Sequence, residues 1–357
     1  MKKKLLFLPL SFLSLSLVNL AGCSNNSKIQ LVFGDLTTNE VTDISYTKLK
    51  EKVDSEASFL LAVQYSDHCG CWFDELKPVV EKYISEKHVI CYHIKLEELE
   101  ANNNTFGIKI VTGNSSFAIF EDGQLKNTIT TKDDNTLKNY DTFVSYMDSL
   151  VSLPKFYYVS KDYIDELYKK DEKNIIYYSR SECGDCGYLD THYLKEWSKN
   201  NPDFTRKIYV LDCDQKGIRK DDDGNVNKEQ WQKFKDDYGM STVNNPTYGY
   251  DTGYVPSFYL IQGSSEGVKY LSGAVAFNDT VTSSDSKYSV TNSYYTNERL
   301  ANLQYIDDEV KTKVLKGLEL TNEDVNDNGR YVMWKHESAE KYHNVFVDKF
   351  LKYSAAQ

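Results

Sequence analysis

The chain has 357 residues, of which 40% are apolar, 27% charged and 13% aromatic, enough for two domains that each bury a core. Its net charge is −11, which excludes the broad basic face that nucleic-acid phosphates require; the acidity serves solubility.

In chain order, the first element is MKKKLLFLPLSFLSLSLVNLAGC. It combines a basic start at Lys2–Lys4, an apolar run of about fifteen residues, and small residues ahead of Cys23. That run is marginal in length for a membrane-spanning helix. Leu20-Ala21-Gly22-Cys23 resembles the lipobox of bacterial lipoproteins. The resemblance implies a signal peptide over 1–22, cleavage before Cys23, lipidation of its thiol, and a mature protein tethered to the outer face of a bacterial cell membrane. Losing residues 1–22, with three lysines and no acid, takes the charge from −11 to −14. Residues 23–28 form a polar tether.

Beyond the tether, one order of elements occurs twice. In residues 29–152, IQLVF reads as a strand, SYTKLKEKV as a helix and SFLLAVQY as a strand. SDHCGCW follows, then a helix over FDELKPVVEKYISEK and a strand over HVICYHIKL. SSFAIFEDGQLKNTI is a β-hairpin across an Asp-Gly turn, and LKNYDTFVSYMDSLV is a closing helix. In residues 153–357, KFYYV, SKDYIDELYKK and NIIYY repeat strand, helix, strand. SRSECGDC then leads into the helix GYLDTHYLKEWSKN and the strand TRKIYVLDCD. An acidic insertion at 214–250 precedes the hairpin YVPSFYLIQGSSEGVKYLSG. A polar excursion at 274–335, to which the sequence assigns no function, precedes the last helix, SAEKYHNVFVDKFLKYS. The boundary falls near Ser152–Pro154.

Cys183-Gly184-Asp185-Cys186 stands between a strand and a helix, and Val255-Pro256 opens the later hairpin. With the repeated element order, these residues resemble the thioredoxin-like fold family. The resemblance implies an α/β protein of two tandem thioredoxin-like domains, each a central mixed sheet flanked by helices. It also implies a cis-proline, Pro256, packed against a redox-active Cys183–Cys186 pair. A cysteine at a helix N-terminus meets unpaired N–H groups and the positive end of the helix dipole, which favour its thiolate. Cys183 is therefore the attacking thiol and Cys186 the resolving one. A cis peptide would turn the Val255 backbone toward an incoming chain, which would add as a strand. Glu182 and Asp185 oppose the thiolate by like charge, an arrangement expected to give a weakly reducing or isomerising couple.

Zinc needs four ligands, and no second CxxC or HxxxH accompanies the first; His192 reads as a surface residue. No cofactor-binding fingerprint is present. Cys91 and Cys213 read as buried thiols. Cys69-Gly70-Cys71 occupies the corresponding place in the first unit, but Trp72 stands in the second-cysteine slot and Asn114-Ser115-Ser116 where the proline belongs. It reads as an auxiliary redox pair exchanging with CGDC, a static disulfide, or a soft-metal site with His68. The calcium-loop patterns at Asp221–Asn227 and Asp324–Gly329 place Arg219 or His336 where acids belong, so both read as solvated acidic turns. NPTYGYDTGY either lines a peptide groove or covers a core edge.

These observations imply a membrane-anchored extracytoplasmic thiol–disulfide oxidoreductase or isomerase. Its partners would be exported polypeptides bearing cysteines and a membrane redox donor. The alternative is a lipoprotein that uses the fold as a binding scaffold with structural disulfides.

Overall fold

A computed structural model describes residues 28–132, 135–276, 279–284, 287–316, 318–321 and 337–357. Cys23, the segment before it and the Asp324–Gly329 turn lie outside these residues.

IQLVF does not form a single strand. β1 (Ile29–Gln30) pairs in parallel with Val151–Ser152, whereas β2 (Phe33–Asp35) crosses to the second unit and becomes the edge strand of its sheet beside Phe156–Tyr158. The expected division at residue 152 therefore does not coincide with sheet membership. An apolar run states that a strand is buried, not which sheet buries it.

The rest of the first unit follows the expected order. β3 (Thr42–Asp43), α1 (Tyr46–Asp54) and β4 (Phe59–Gln64) lead to a helix whose first segment, Cys71–Leu76, is π-helical before α2 (Lys77–Lys87). β5 (Cys91–Lys95), α3 (Leu96–Ala101), the hairpin β6 (Ser116–Glu121) and β7 (Gln124–Thr130), α4 (Tyr140–Leu150) and β8 (Val151–Ser152) complete it. The sheet order is β3-β5-β4-β6-β7, with β4 parallel to β5 and antiparallel to β6. β4 is central and all six of its residues are buried, as its unbroken apolar sequence requires. At the hairpin turn, Asp122 and Gly123 both have positive φ, +55° and +71°. A Cβ on Gly123 would lie 2.2 Å from the Val53 carbonyl oxygen, so only glycine fits.

The second unit repeats the plan. It comprises β9 (Phe156–Tyr158), α5 (Lys161–Lys169), β10 (Lys173–Ser179), α6 (Gly184–Tyr188) continuing through a π-helical stretch at Leu189–Leu194 into α7 (Lys195–Asn200), and β11 (Ile208–Asp212). α8 (Lys228–Asp237) and the hairpin β12 (Ser257–Gln262) and β13 (Lys269–Val275) follow. The sheet order is β13-β12-β10-β11-β9-β2. Ser45, Asn139, Ser160 and Asn227 cap their helices by accepting first-turn N–H groups. Both units thus have the mixed sheet and strand order of the thioredoxin-like fold.

The excursion contributes structure that its polar sequence does not announce. β14 (Asp279–Ser284), β15 (Lys287–Asn292) and β16 (Leu318–Thr321) form a separate antiparallel sheet. α9 (Asn297–Asn302) and the turn after it bring Leu300, Tyr305 and Ile306 into the core beside Phe346 and Phe350 of α11 (Glu337–Ala355). The tyrosine-rich composition is largely core: Tyr168 shares hydrogen bonds with the Tyr178 and Tyr270 hydroxyls at 2.8 and 3.2 Å, which satisfies polar groups that burial would otherwise penalise. Tyr248 and Tyr250 likewise cover a core edge, with Tyr294 donating to the Tyr248 carbonyl at 2.8 Å.

Candidate thiol site

β10 ends at Ser179, and a turn over Ser181–Glu182 delivers Cys183 to the N-cap of α6. The Gly187 N–H donates to the Cys183 carbonyl at 2.9 Å, the first bond of the helix. Both cysteines are thiols; Cys183 is half-buried and Cys186 fully buried. The Cys183 pKa is lowered to about 6. A hydrogen bond from the Cys186 thiol is the largest cause, burial opposes it, and the N–H groups of Cys186 and Asp185 assist. Cys186 moves strongly the other way, through burial and then the neighbouring thiolate.

The two flanking carboxylates differ in effect. Asp185 opposes the thiolate as expected; its own pKa is raised by burial, against a hydrogen bond from Tyr254. Glu182 is instead held in ion pairs. Lys220 and Arg219 of the acidic insertion pair with it, and Lys220 is the main cause of its lowered pKa. Arg219 also joins Arg180 on Asp214, whose other oxygen accepts the Glu182 N–H at 2.8 Å. The insertion therefore braces the turn before Cys183. Arg219 is committed to two carboxylates, and Asp221 accepts the N–H groups of Asp223 and Asn225 at 3.1 and 2.8 Å, so this turn is closed on itself.

The Val255–Pro256 bond is cis. Val255 packs in the same apolar cluster as Cys186, with Cys183 against it, and Tyr254 reaches Asp185 from the same loop. No described residue hydrogen-bonds the Val255 N–H or C=O. His192 is exposed and lies against Tyr188.

Sequence reasoning missed Asp190. It lies one helical turn beyond Cys186, in the π-helical stretch, and accepts a hydrogen bond from the Tyr177 hydroxyl at 2.8 Å. Asp190 is half-buried, and its pKa rises to about 7 through burial, then through the charges of Cys183 and Asp212, against the Tyr177 bond. The surface it retains lines a cavity of about 400 Å³ between the units, shared with Arg180, Ser181, Phe33, Phe59 and Tyr158. The i, i+4 spacing of Cys186 and Asp190 was the available signal.

In the first unit, Cys69 and Cys71 form a disulfide with Cα atoms 5.1 Å apart. The disulfide engages both thiolates that a soft-metal site would use. The Cys69 N–H donates to the Ser66 carbonyl as the Cys183 N–H does to Arg180, so Cys69 takes the place of Cys183. Trp72 then fills the place of Cys186, 2% exposed and stacked on His93 with ring centroids 4.6 Å apart. Ser115, directly before β6 as Pro256 is before β12, approaches Cys71 Sγ at 3.2 Å. Arg180, Ser181 and Gly187, which flank the CGDC cysteines, line one cavity with Phe59 at the start of β4, whereas Cys69 follows the far end of that strand. Cys91 and Cys213 are buried thiols.

No protein-family model and no curated protein matches the sequence. Among solved structures, a mutant thioredoxin from Halobacterium salinarum NRC-1 is 22% identical over 32% of this chain and 94% of its own, with a TM-score of 0.26. Human ERp44 is 11% identical over 49% of this chain and 45% of its own, with a TM-score of 0.25. ERdj5 is 7% identical over 65% of this chain and 27% of its own, with a TM-score of 0.26. Alignments at these scores add nothing to what strand order and register establish: two sheets of the same thioredoxin-like order, one bearing a paired-thiol helix terminus.

Proposed function

We propose that the protein is a membrane-anchored, extracytoplasmic thiol–disulfide oxidoreductase or isomerase acting on exported polypeptides, with its active centre in the second unit. The observation that carries this reading is a half-buried thiol of lowered pKa at a helix N-terminus, directly above a buried second thiol. The Cys183 thiolate attacks one sulfur of a substrate disulfide; an S–S bond forms to Cys183 and the other substrate sulfur leaves as thiolate. The Cys186 thiol loses its proton toward Asp190 and attacks Cys183 Sγ. The second substrate thiolate departs, and the Cys183–Cys186 disulfide holds the two-electron oxidation. If a substrate thiolate resolves the mixed disulfide first, the outcome is isomerisation. A membrane redox donor returns the pair to dithiol between reductive turnovers. Backbone groups of Val255 pair with the substrate chain, supported by their lack of partners.

Refolding of a scrambled disulfide substrate by wild type and Cys183→Ala tests the reading, and equal rates would reject it. Cys186→Ser should accumulate mixed disulfides on Cys183, and their identity would name the clients.

A further inference from the structure

A second feature lies at the seam where the N-terminal segment enters the fold. Lys28 directly precedes β1, whose partner β8 leads through Leu153 and Pro154 to Lys155. Around this seam is a groove enclosing about 590 Å³, and Lys28, Lys87, Lys155, Arg206 and Lys207 line it together with one acid, Asp148. On a chain of net charge −11, this concentration of cations runs against the composition.

Arg206 donates to the Ser354 and Lys173 carbonyls, but the four lysines are not used internally in the way that surface lysines elsewhere are. Lys28, Lys87, Lys155 and Lys207 form no ion pair among the described residues, and Lys207 sits over the Tyr157 ring at 5.0 Å. Lys155 is only 8% exposed, and its ammonium has no hydrogen-bond partner among the described residues. Burial lowers its pKa and only Asp203 opposes that. A groove lined by five cations and one acid, with Lys155 largely covered by protein beside it, calls for an anion. The groove also bears Leu153, 38% exposed, at its rim.

We infer that this groove binds the phosphate groups of anionic membrane phospholipids and seats the seam between the two units on the bilayer. The inference rests on the anchoring reading above. Lys28 lies five residues beyond Cys23, so a lipid on Cys23 holds the groove within about 18 Å of the membrane. A chain tethered at that distance meets headgroup phosphate before any other anion. With Leu153 at the interface, the seat also limits how the CGDC face can turn relative to the membrane.

The test is vesicle flotation of the full chain carrying Cys23→Ala, so that acylation plays no part, with phosphatidylglycerol and phosphatidylcholine vesicles compared. Any apolar insertion by the leader acts equally on both. Each basic residue near an anionic surface contributes about fivefold in partition. Lys28→Gln with Lys207→Gln, both exposed, should lower the phosphatidylglycerol preference about twenty-fivefold, and adding Lys155→Gln about a hundredfold. Unchanged melting temperatures would show that the variants fold. An undiminished preference in the variants, or none in wild type, overturns the inference. Binding of inorganic phosphate, lost in the variants without any phosphatidylglycerol preference, would reassign the groove to free phosphate and also overturn the membrane seat. Mass analysis of Cys23 in the wild-type chain tests the anchor separately: an unmodified thiol with a retained preference removes the anchor and leaves the groove.

Discussion

The two helix N-termini of this molecule are built on the same strand order and differ at three places. In the second unit, a free Cys183 stands over Cys186 and faces a loop ending in Pro256. In the first, Cys69 is closed onto Cys71, Trp72 fills the slot of the resolving thiol, and Ser115 stands where the proline would. The scaffold presents a sulfur at the positive end of a helix in both units. What lies one turn below that sulfur differs: a second thiol with a carboxylate beyond, or an indole stacked on a histidine.

Five variants break or sharpen this contrast. The largest effect is on turnover. Cys183→Ala should reduce insulin-disulfide reduction to the uncatalysed background, while the Cys69→Ala, Cys71→Ala double variant keeps most of the rate; loss in the double variant would make the first unit part of the cycle. Next is stability. Trp72→Ala removes a buried indole and its stacking partner, and should cost about 3–5 kcal/mol in chemical denaturation, with thiol activity per folded molecule unchanged.

Asp190→Asn should stabilise the protein, with a pH signature. A carboxyl whose folded pKa is raised from 3.8 to about 7 favours the protonated, folded form at low pH, and that advantage is lost as pH rises from the unfolded value through 7. The asparagine variant should therefore gain up to about 4 kcal/mol at pH 8 and nothing near pH 3, read as melting temperature of the reduced protein against pH. If Asp190 receives the Cys186 proton, the variant should also release trapped mixed disulfides more slowly. A gain of equal size at both pH values would show that Asp190 is not a buried titrating acid.

The smallest effect concerns Glu182. Alkylation of wild-type Cys183 by iodoacetamide should follow a midpoint near pH 6. Because Glu182 is occupied by Lys220 and Arg219, Glu182→Gln should move that midpoint by well under one unit. A large downward shift would show that its charge reaches the sulfur after all.

Much of this was legible before any coordinates. The Asp122–Gly123 turn announces its hairpin because paired positive φ angles demand those residue types. Helix starts follow from Ser45, Ser160 and Asn227, whose side chains satisfy N–H groups that helices leave open. The CGDC motif, the proline and the degenerate CGC are all local patterns. The pairing of Glu182 with Lys220 was not legible, since it joins residues from separate loops. Neither was the crossing of Phe33–Asp35 into the other unit's sheet.

The sequence by itself determined most strands and helices of the two repeated units, where they turn, and which sulfur stands first on its helix, because period, capping and turn chemistry act within a few residues. Only the tertiary structure decided that IQLVF divides between two sheets, that the polar excursion forms a sheet of its own, that Asp190 has a raised pKa, and where unpaired lysines collect. Those outcomes depend on desolvation and charge between residues distant in the chain, which no local pattern records.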